Sequence, residues 1–143
     1  MVERSSFVTV DAFDDVPVKA LYTTRLDGKS EGDYSSFNLG LHVEDEPQAV
    51  LQNRLALEKH LSKKVVFMNQ NHSDKVVLVD KNDVCECEKM LEGKRPVSLG
   101  VEADGIVSCD KSVALAVLTA DCLPLLMTTK EGNVIAAVHC GWK

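Results

Sequence analysis

The chain has 143 residues, 45% hydrophobic and 27% charged. That balance fits one globular domain with enough apolar mass to form a core without staples. A formal net charge of -6 argues against a nucleic-acid backbone as the main partner, because phosphate chains are held by basic surface, although a small anion needs only a few placed cations. No stretch is long and apolar enough to cross a membrane. The N-terminal Met1-Val-Glu-Arg-Ser-Ser lacks the basic-then-apolar order of a signal peptide. A cytoplasmic protein with no membrane partner is therefore expected. Five cysteines form an odd count, and nothing marks secretion, so free thiols or metal ligands are expected rather than a disulfide framework.

In chain order, Pro17 to Thr24 reads as a strand, followed by a turn-rich loop from Leu26 through Ser36. A helix is predicted from Pro47, with Asp45 or Glu46 at its cap and proline in the first turn. Val50, Leu51, Leu55, Leu57 and Leu61 fall on one broad face of it. Arg54 lies inside that arc, and the favoured reading is a packed stem with its head in water, against a buried ion pair or ligand contact. Val65 to Met68 and Lys75 to Asp80 read as strands joined by Asn69-Gln-Asn-His-Ser-Asp, and residues 81 to 100 as a polar surface excursion. Three apolar runs follow: Val113 to Thr119, Leu123 to Thr128 and Val134 to His139. Short runs rich in Val, Leu and Ala predict strands buried on both faces. The expected class is α+β, with helices covering sheet.

The four histidines are His42, His60, His72 and His139. His60 sits at the predicted helix C-terminus, where it favours the dipole, and His42 reads as a structural hydrogen-bonding residue. His72, Cys122 and His139 each sit where an apolar strand meets a loop, and a rigid sheet can present ligands from such places. Two imidazoles and a thiolate suit zinc, and three protein ligands leave a fourth position open, the catalytic arrangement. Their spacing carries little, because no short ligand motif joins them. On spacing alone, ordinary core histidines and a buried free cysteine are the better reading. Cys85-Glu-Cys87 could put two thiols on one strand face, although surface thiols are favoured there. Cys109 reads as a packing or loop thiol, and Cys140 as packed away from His139.

Several segments occur together in one order: Tyr22-Thr-Thr-Arg25, Ser36-Phe-Asn-Leu-Gly40, Glu46-Pro47 with Asn53-Arg54, Gln70-Asn-His72, Ala103-Asp-Gly105, Ala114-Leu-Ala-Val-Leu-Thr-Ala-Asp-Cys-Leu-Pro124 and Ala136-Ala-Val-His-Cys-Gly-Trp142. From about Leu21 onward they resemble the bacterial zinc-dependent purine nucleoside phosphorylases, formerly described as multicopper polyphenol oxidoreductases with a laccase domain (YfiH-like). The resemblance implies an α+β fold of mixed sheets layered with helices. It implies zinc held by His72, Cys122 and His139 as the catalytic centre, with purine nucleosides and phosphate as partners. It implies phosphorolysis of adenosine, inosine and methylthioadenosine, with adenosine deamination besides. Deamination needs an activated water at the ring carbon bearing the amino group, yet the signature of the better-known nucleobase deaminases is absent. Arg25 is assigned to phosphate or substrate. Asn38 and Asp121 are candidates for the site wall, Asp121 with a possible orienting role, against nearly equal readings as turn and loop hydrogen-bonding residues.

The sequence departs from the family pattern at Asp27, at Ser73 in place of glycine, and at Lys143 in place of arginine. Lysine keeps the charge for phosphate binding but loses the planar fork. The family continues for roughly another hundred residues, within a common domain size range, so residues 1–143 are expected to be one domain, the N-terminal portion of a larger family domain. Three other functions remain open at this level. Copper in place of zinc would suit a polyphenol oxidase. Cys122 with His72 or His139 would suit a cysteine hydrolase. An inactive metal-binding fragment would need neither. The oligomeric state is left open.

Overall fold

The computed structural model describes residues 4–94 and 99–142. Among the described residues, ten short strands and two α-helices form an α+β arrangement. In chain order they are β1 (Phe7–Thr9), β2 (Leu21–Thr23), α1 (Pro47–Leu61), β3 (Lys64–Val66), β4 (Met68–Asn69), β5 (Val76–Leu78), α2 (Cys87–Leu91), β6 (Val101–Glu102), β7 (Gly105–Ser108), β8 (Val113–Leu115), β9 (Leu123–Thr128) and β10 (Ile135–Cys140). No helix among the described residues is long and apolar enough to cross a membrane.

The main sheet has the order β5-β7-β10-β9. β5 runs parallel to β7, and β10 pairs antiparallel with both β7 and β9. This mixed topology puts the starts of β5, β7 and β9 and the end of β10 at one end of the sheet. Smaller pairs, β1-β2, β3-β8 and β4-β6, flank it.

Helix α1 starts at Pro47, whose missing N–H costs nothing in a first turn. It ends at Ser62 in the left-handed conformation, with the Ser62 N–H returned to the carbonyls of Glu58 and Lys59. Val50, Leu51 and Leu57 are buried. Leu51 and Leu57 join Phe37, Leu39, Val65, Phe67, Cys85 and Cys87 in one core, against which Leu55 and Leu61 pack. A second core lies on the main sheet, formed by Val66, Met68, Val79, Ala103, Ile106, Val113 and Ala137.

Four expectations need correction. The segment at 81–100 is not wholly a surface excursion, because α2 folds back on α1 and buries Cys87. Cys85 and Cys87 are core thiols, not surface ones. Arg54 does not reach water; it is 2% exposed, because the chain around Phe67, Cys85 and Leu99 closes over that face of α1. The last apolar runs are not buried on both faces either. β9 is an edge strand whose Leu123, Leu125 and Met127 are exposed. His60 keeps its place in the last turn of α1 and stacks on Phe7, with ring centroids 3.9 Å apart.

Candidate functional site

The sheet topology collects four chemically active side chains at one end. His72 lies in the loop entering β5, Asp104 directly before β7, Cys122 directly before β9, and His139 near the end of β10. Register does the positioning: Val76 and Val138 both lie opposite Gly105, and His139 lies opposite Pro124. The His139 N–H donates to the Asp104 carbonyl at 2.7 Å, locking the end of β10 to the start of β7.

His72, Cys122 and His139 each offer one ligand atom, all within 4.8 Å of one another. Cys122 Sγ is 3.8 Å from His72 Nε2, and the two imidazole rings meet edge to face with centroids 4.9 Å apart. Ligands at about 2.0–2.3 Å around a tetrahedral zinc lie roughly 3.3–3.7 Å apart, so a modest inward turn of the side chains brings the three onto one ion. Their burial is graded: His139 is buried, Cys122 half-buried and His72 exposed.

Asp104 organises the group. Its carboxylate is 2.7 Å from His139 Nδ1, which leaves Nε2 as the ligand atom. The same carboxylate accepts the N–H groups of Asn71, His72 and Ser73, and the Ser73 hydroxyl. Burial alone would raise its pKa. The hydrogen bonds from His139, Ser73 and Asn71 outweigh burial and hold the carboxyl well below the usual carboxylate range. Its grip also explains a strained residue. His72 has φ 63°, a left-handed conformation unusual for a residue with a Cβ, and three successive N–H groups bound to one carboxylate keep the loop there.

Two further positions shape the cluster. The Gln70 side-chain amide accepts from the Leu118 N–H at 2.8 Å and donates to the Leu118 carbonyl at 2.7 Å. It thereby ties the segment before His72 to the segment leading to Cys122, where the Thr119 hydroxyl donates to the Cys122 carbonyl. Gly141 leaves room for the ligand rings: a Cβ there would lie 2.5 Å from His72 Cδ2 and 3.4 Å from His139 Cε1, so a larger residue would push the His72 ring aside. The motif reading quoted Asp104, Gln70 and Gly141 without giving them a role. For Gln70 and Gly141, two residues from His72 and His139, nearness in sequence was the available signal; Asp104 had none, since His139 is 35 residues away.

The cluster opens on a broad cleft of about 1780 Å³, also lined by Asn38, His42 and Asp121. Arg25 does not join the cluster. It lines an adjoining hollow of about 600 Å³ with Asn38, Tyr34 and Ala120, and Asn38 and Ala120 border both spaces. Arg25 Nε donates to the Ser35 carbonyl at 2.8 Å, and Nη2 donates to the same oxygen. A guanidinium has five N–H donors, so this anchoring leaves donors for an anion. Asn38 makes loop hydrogen bonds to Gly40 and Asp45 as well as lining the cleft. Asp121 is exposed on the cleft wall, and the carboxylate bonded to a ligand residue is Asp104. Lys143 lies outside the described residues.

Residues 19–143 match the family described as multi-copper polyphenol oxidoreductase laccase. The chain belongs to this family. Among its relatives, a purine nucleoside phosphorylase of Corynebacterium glutamicum is 43% identical over 129 residues, covering 87% of this chain and 48% of that protein. A purine nucleoside phosphorylase of Pseudomonas aeruginosa is 36% identical over 126 residues, covering 88% and 46%. Of solved structures, YlmD from Geobacillus stearothermophilus aligns with a TM-score of 0.83 at 26% identity, over 99% of this chain and 52% of that one. The Neisseria meningitidis protein NMB0706 aligns with a TM-score of 0.75 at 38% identity, over 96% and 51%. The fold is thus the mixed α+β fold of these proteins, and the chain spans about half the length of the relatives it matches.

Proposed function

We propose that the chain carries the metal centre of a zinc-dependent purine nucleoside phosphorylase acting on adenosine, inosine and methylthioadenosine, with adenosine deaminase as a second activity. We read residues 1–143 as one domain, the N-terminal portion of the larger family domain. The observation that carries the reading is the convergence of His72, Cys122 and His139 on one open cleft, with His139 already oriented by Asp104. The names of the relatives supply the reaction.

The donor set fits zinc, since two imidazoles and one thiolate are its ordinary ligands and leave one position open. A zinc ion held there would supply Lewis-acid stabilisation of developing negative charge. The protein's own residues do the rest. Asp104 fixes the His139 ring and the His72 loop, so the ligands are in place before substrate arrives. Arg25, beside Asn38, is the cation for phosphate in the adjoining hollow, with Lys143 as a further anion-binding residue. Asp121 forms the cleft wall where the nucleoside lies. A cytoplasmic setting is part of the same proposal.

The test is incubation of the protein with inosine, with and without phosphate. Formation of hypoxanthine and ribose 1-phosphate only when phosphate is present supports phosphorolysis. Free ribose without phosphate contradicts it. Inosine has no amino group to lose, so deamination cannot confuse the result. A second reading, polyphenol oxidation at copper on the same three residues, is favoured by the family's description and predicts oxygen uptake with a phenol and copper in the purified protein.

A further inference from the structure

A second cluster of nitrogen and sulfur is sealed inside the fold, away from the cleft. Cys85 and Cys87 are 1% and 0% exposed, and their sulfurs lie 3.2 Å apart. Arg54 brings Nη1 to 3.5 Å from Cys85 Sγ. Its other acceptors are neutral: Nε donates to the Leu39 carbonyl at 2.8 Å, and Nη1 to the Leu99 carbonyl at 3.2 Å. Its guanidinium carbon lies 3.7 Å from the centre of the Phe67 ring. Among the described residues no carboxylate is paired with Arg54. A buried cation with neutral partners alone is costly, and an anion beside it relieves the cost.

Cys85 is placed to be that anion. The hydrogen bond with Cys87, opposed by burial and aided by the Arg54 charge, lowers the Cys85 thiol below its ordinary range. Cys87 moves up, first through its hydrogen bond to Cys85 and then through burial, and so keeps its proton. Glu58 of α1 and Lys64 of β3 are the other charged groups acting on the pair. The backbone also favours approach of the two sulfurs. Glu86, between them, has φ -89° and ψ 62°, close to the inverse γ-turn that folds residues i and i+2 toward each other.

We propose that Cys85 and Cys87 form a hydroperoxide-oxidisable dithiol, with Cys85 as the attacking sulfur and Cys87 as the resolving one, closing a reversible disulfide beside Arg54. Hydrogen peroxide, hardly larger than water, is the oxidant suited to so enclosed a site. The Cys85 thiolate attacks one peroxide oxygen, the S–O bond forms, the O–O bond breaks, and hydroxide leaves. Hydroxide takes the Cys87 proton and becomes water. The Cys87 thiolate then attacks Cys85 sulfur and expels the second hydroxide, which takes a proton from solvent. One thiolate, one thiol, one peroxide and one proton thus give one disulfide and two waters, with two electrons passing from sulfur to oxygen. A small dithiol returns the pair to thiols by exchange when the chain around it opens.

The test treats the reduced 143-residue protein with hydrogen peroxide, alkylates remaining thiols under denaturing conditions, and maps the peptides by mass. The expected result is a peptide spanning Cys85 and Cys87 that has lost two hydrogens and both alkylation sites, restored by dithiothreitol. The rate should rise with pH, with a midpoint below that of an ordinary thiol. In Cys87→Ser the reaction should stop at a sulfenic acid on Cys85 that dimedone captures when added with denaturant, whereas Cys85→Ser should give no dimedone adduct on Cys87. Both thiols remaining alkylatable while exposed Cys109 oxidises would overturn the proposal, whatever the variants do. A disulfide joining either one to a different cysteine would overturn it too.

Discussion

Two clusters in this fold combine sulfur with nitrogen bases, and their surroundings set them apart. At the end of the main sheet, Cys122 meets the imidazoles of His72 and His139 on an open cleft. Beneath α1, Cys85 meets Cys87 and the guanidinium of Arg54 with almost no access to solvent. Imidazole has a lone pair to give a metal; guanidinium has none, so Arg54 can only donate hydrogen bonds and charge. The open cluster offers three ligand atoms to an ion from outside, whereas the sealed one offers a hydrogen bond and a positive charge to a thiol. The type of nitrogen and the access of solvent, more than the cysteine, decide what each thiol can do.

The largest effect expected on the open side comes from Cys122→Ala. It should weaken zinc binding by more than about 100-fold, beyond the usual loss from an outer partner, measured by chelator competition. Cys85→Ala or Cys140→Ala should leave zinc binding unchanged. Arg54→Met breaks the sealed side: it orphans the Leu39 and Leu99 carbonyls and strips Cys85 of its cation. It should cost about 3 kcal/mol in denaturant unfolding without changing zinc affinity. A change in both quantities would show that the clusters are not independent.

Asp104→Asn should lower zinc affinity by roughly 10–100-fold, because an amide cannot serve the His139 ring and the three loop N–H groups as the carboxylate does. The smallest effect belongs to Gln70→Ala. It removes two hydrogen bonds to Leu118 and should cost roughly 1–2 kcal/mol, seen as faster hydrogen exchange at the Leu118 amide. Unchanged exchange there would mean that Gln70 does not hold the two ligand-bearing segments together.

Local pattern made some of this legible. Pro47 and the apolar positions 50, 51 and 57 mark α1, and the residues 123–128 and 135–140 form strands close to the expected bounds. Position within the sheet was not legible. The run at 123–128 is apolar enough for a central strand yet lies at an edge, because strand order comes from long-range pairing. β7 escaped notice for a related reason: Gly105-Ile-Val-Ser is short and opens with glycine, although it sits between β5 and β10. The grouping of His72, Cys122 and His139 came from motif resemblance, since 50 residues separate His72 from Cys122 and no short spacing joins them. Asp104 had no local mark, because its partner His139 is 35 residues away. Arg54 misled because a helical face cannot show what will cover it; Phe67, Cys85 and Leu99 do so from later in the chain.

The most direct test of the metal centre is X-ray absorption at the zinc edge on protein purified without added metal. The expected result is about one zinc per chain, with one sulfur at about 2.3 Å and nitrogen ligands at about 2.0–2.1 Å, and the sulfur shell lost in Cys122→Ala. Copper in place of zinc, or a sulfur shell that survives in Cys122→Ala, would contradict it.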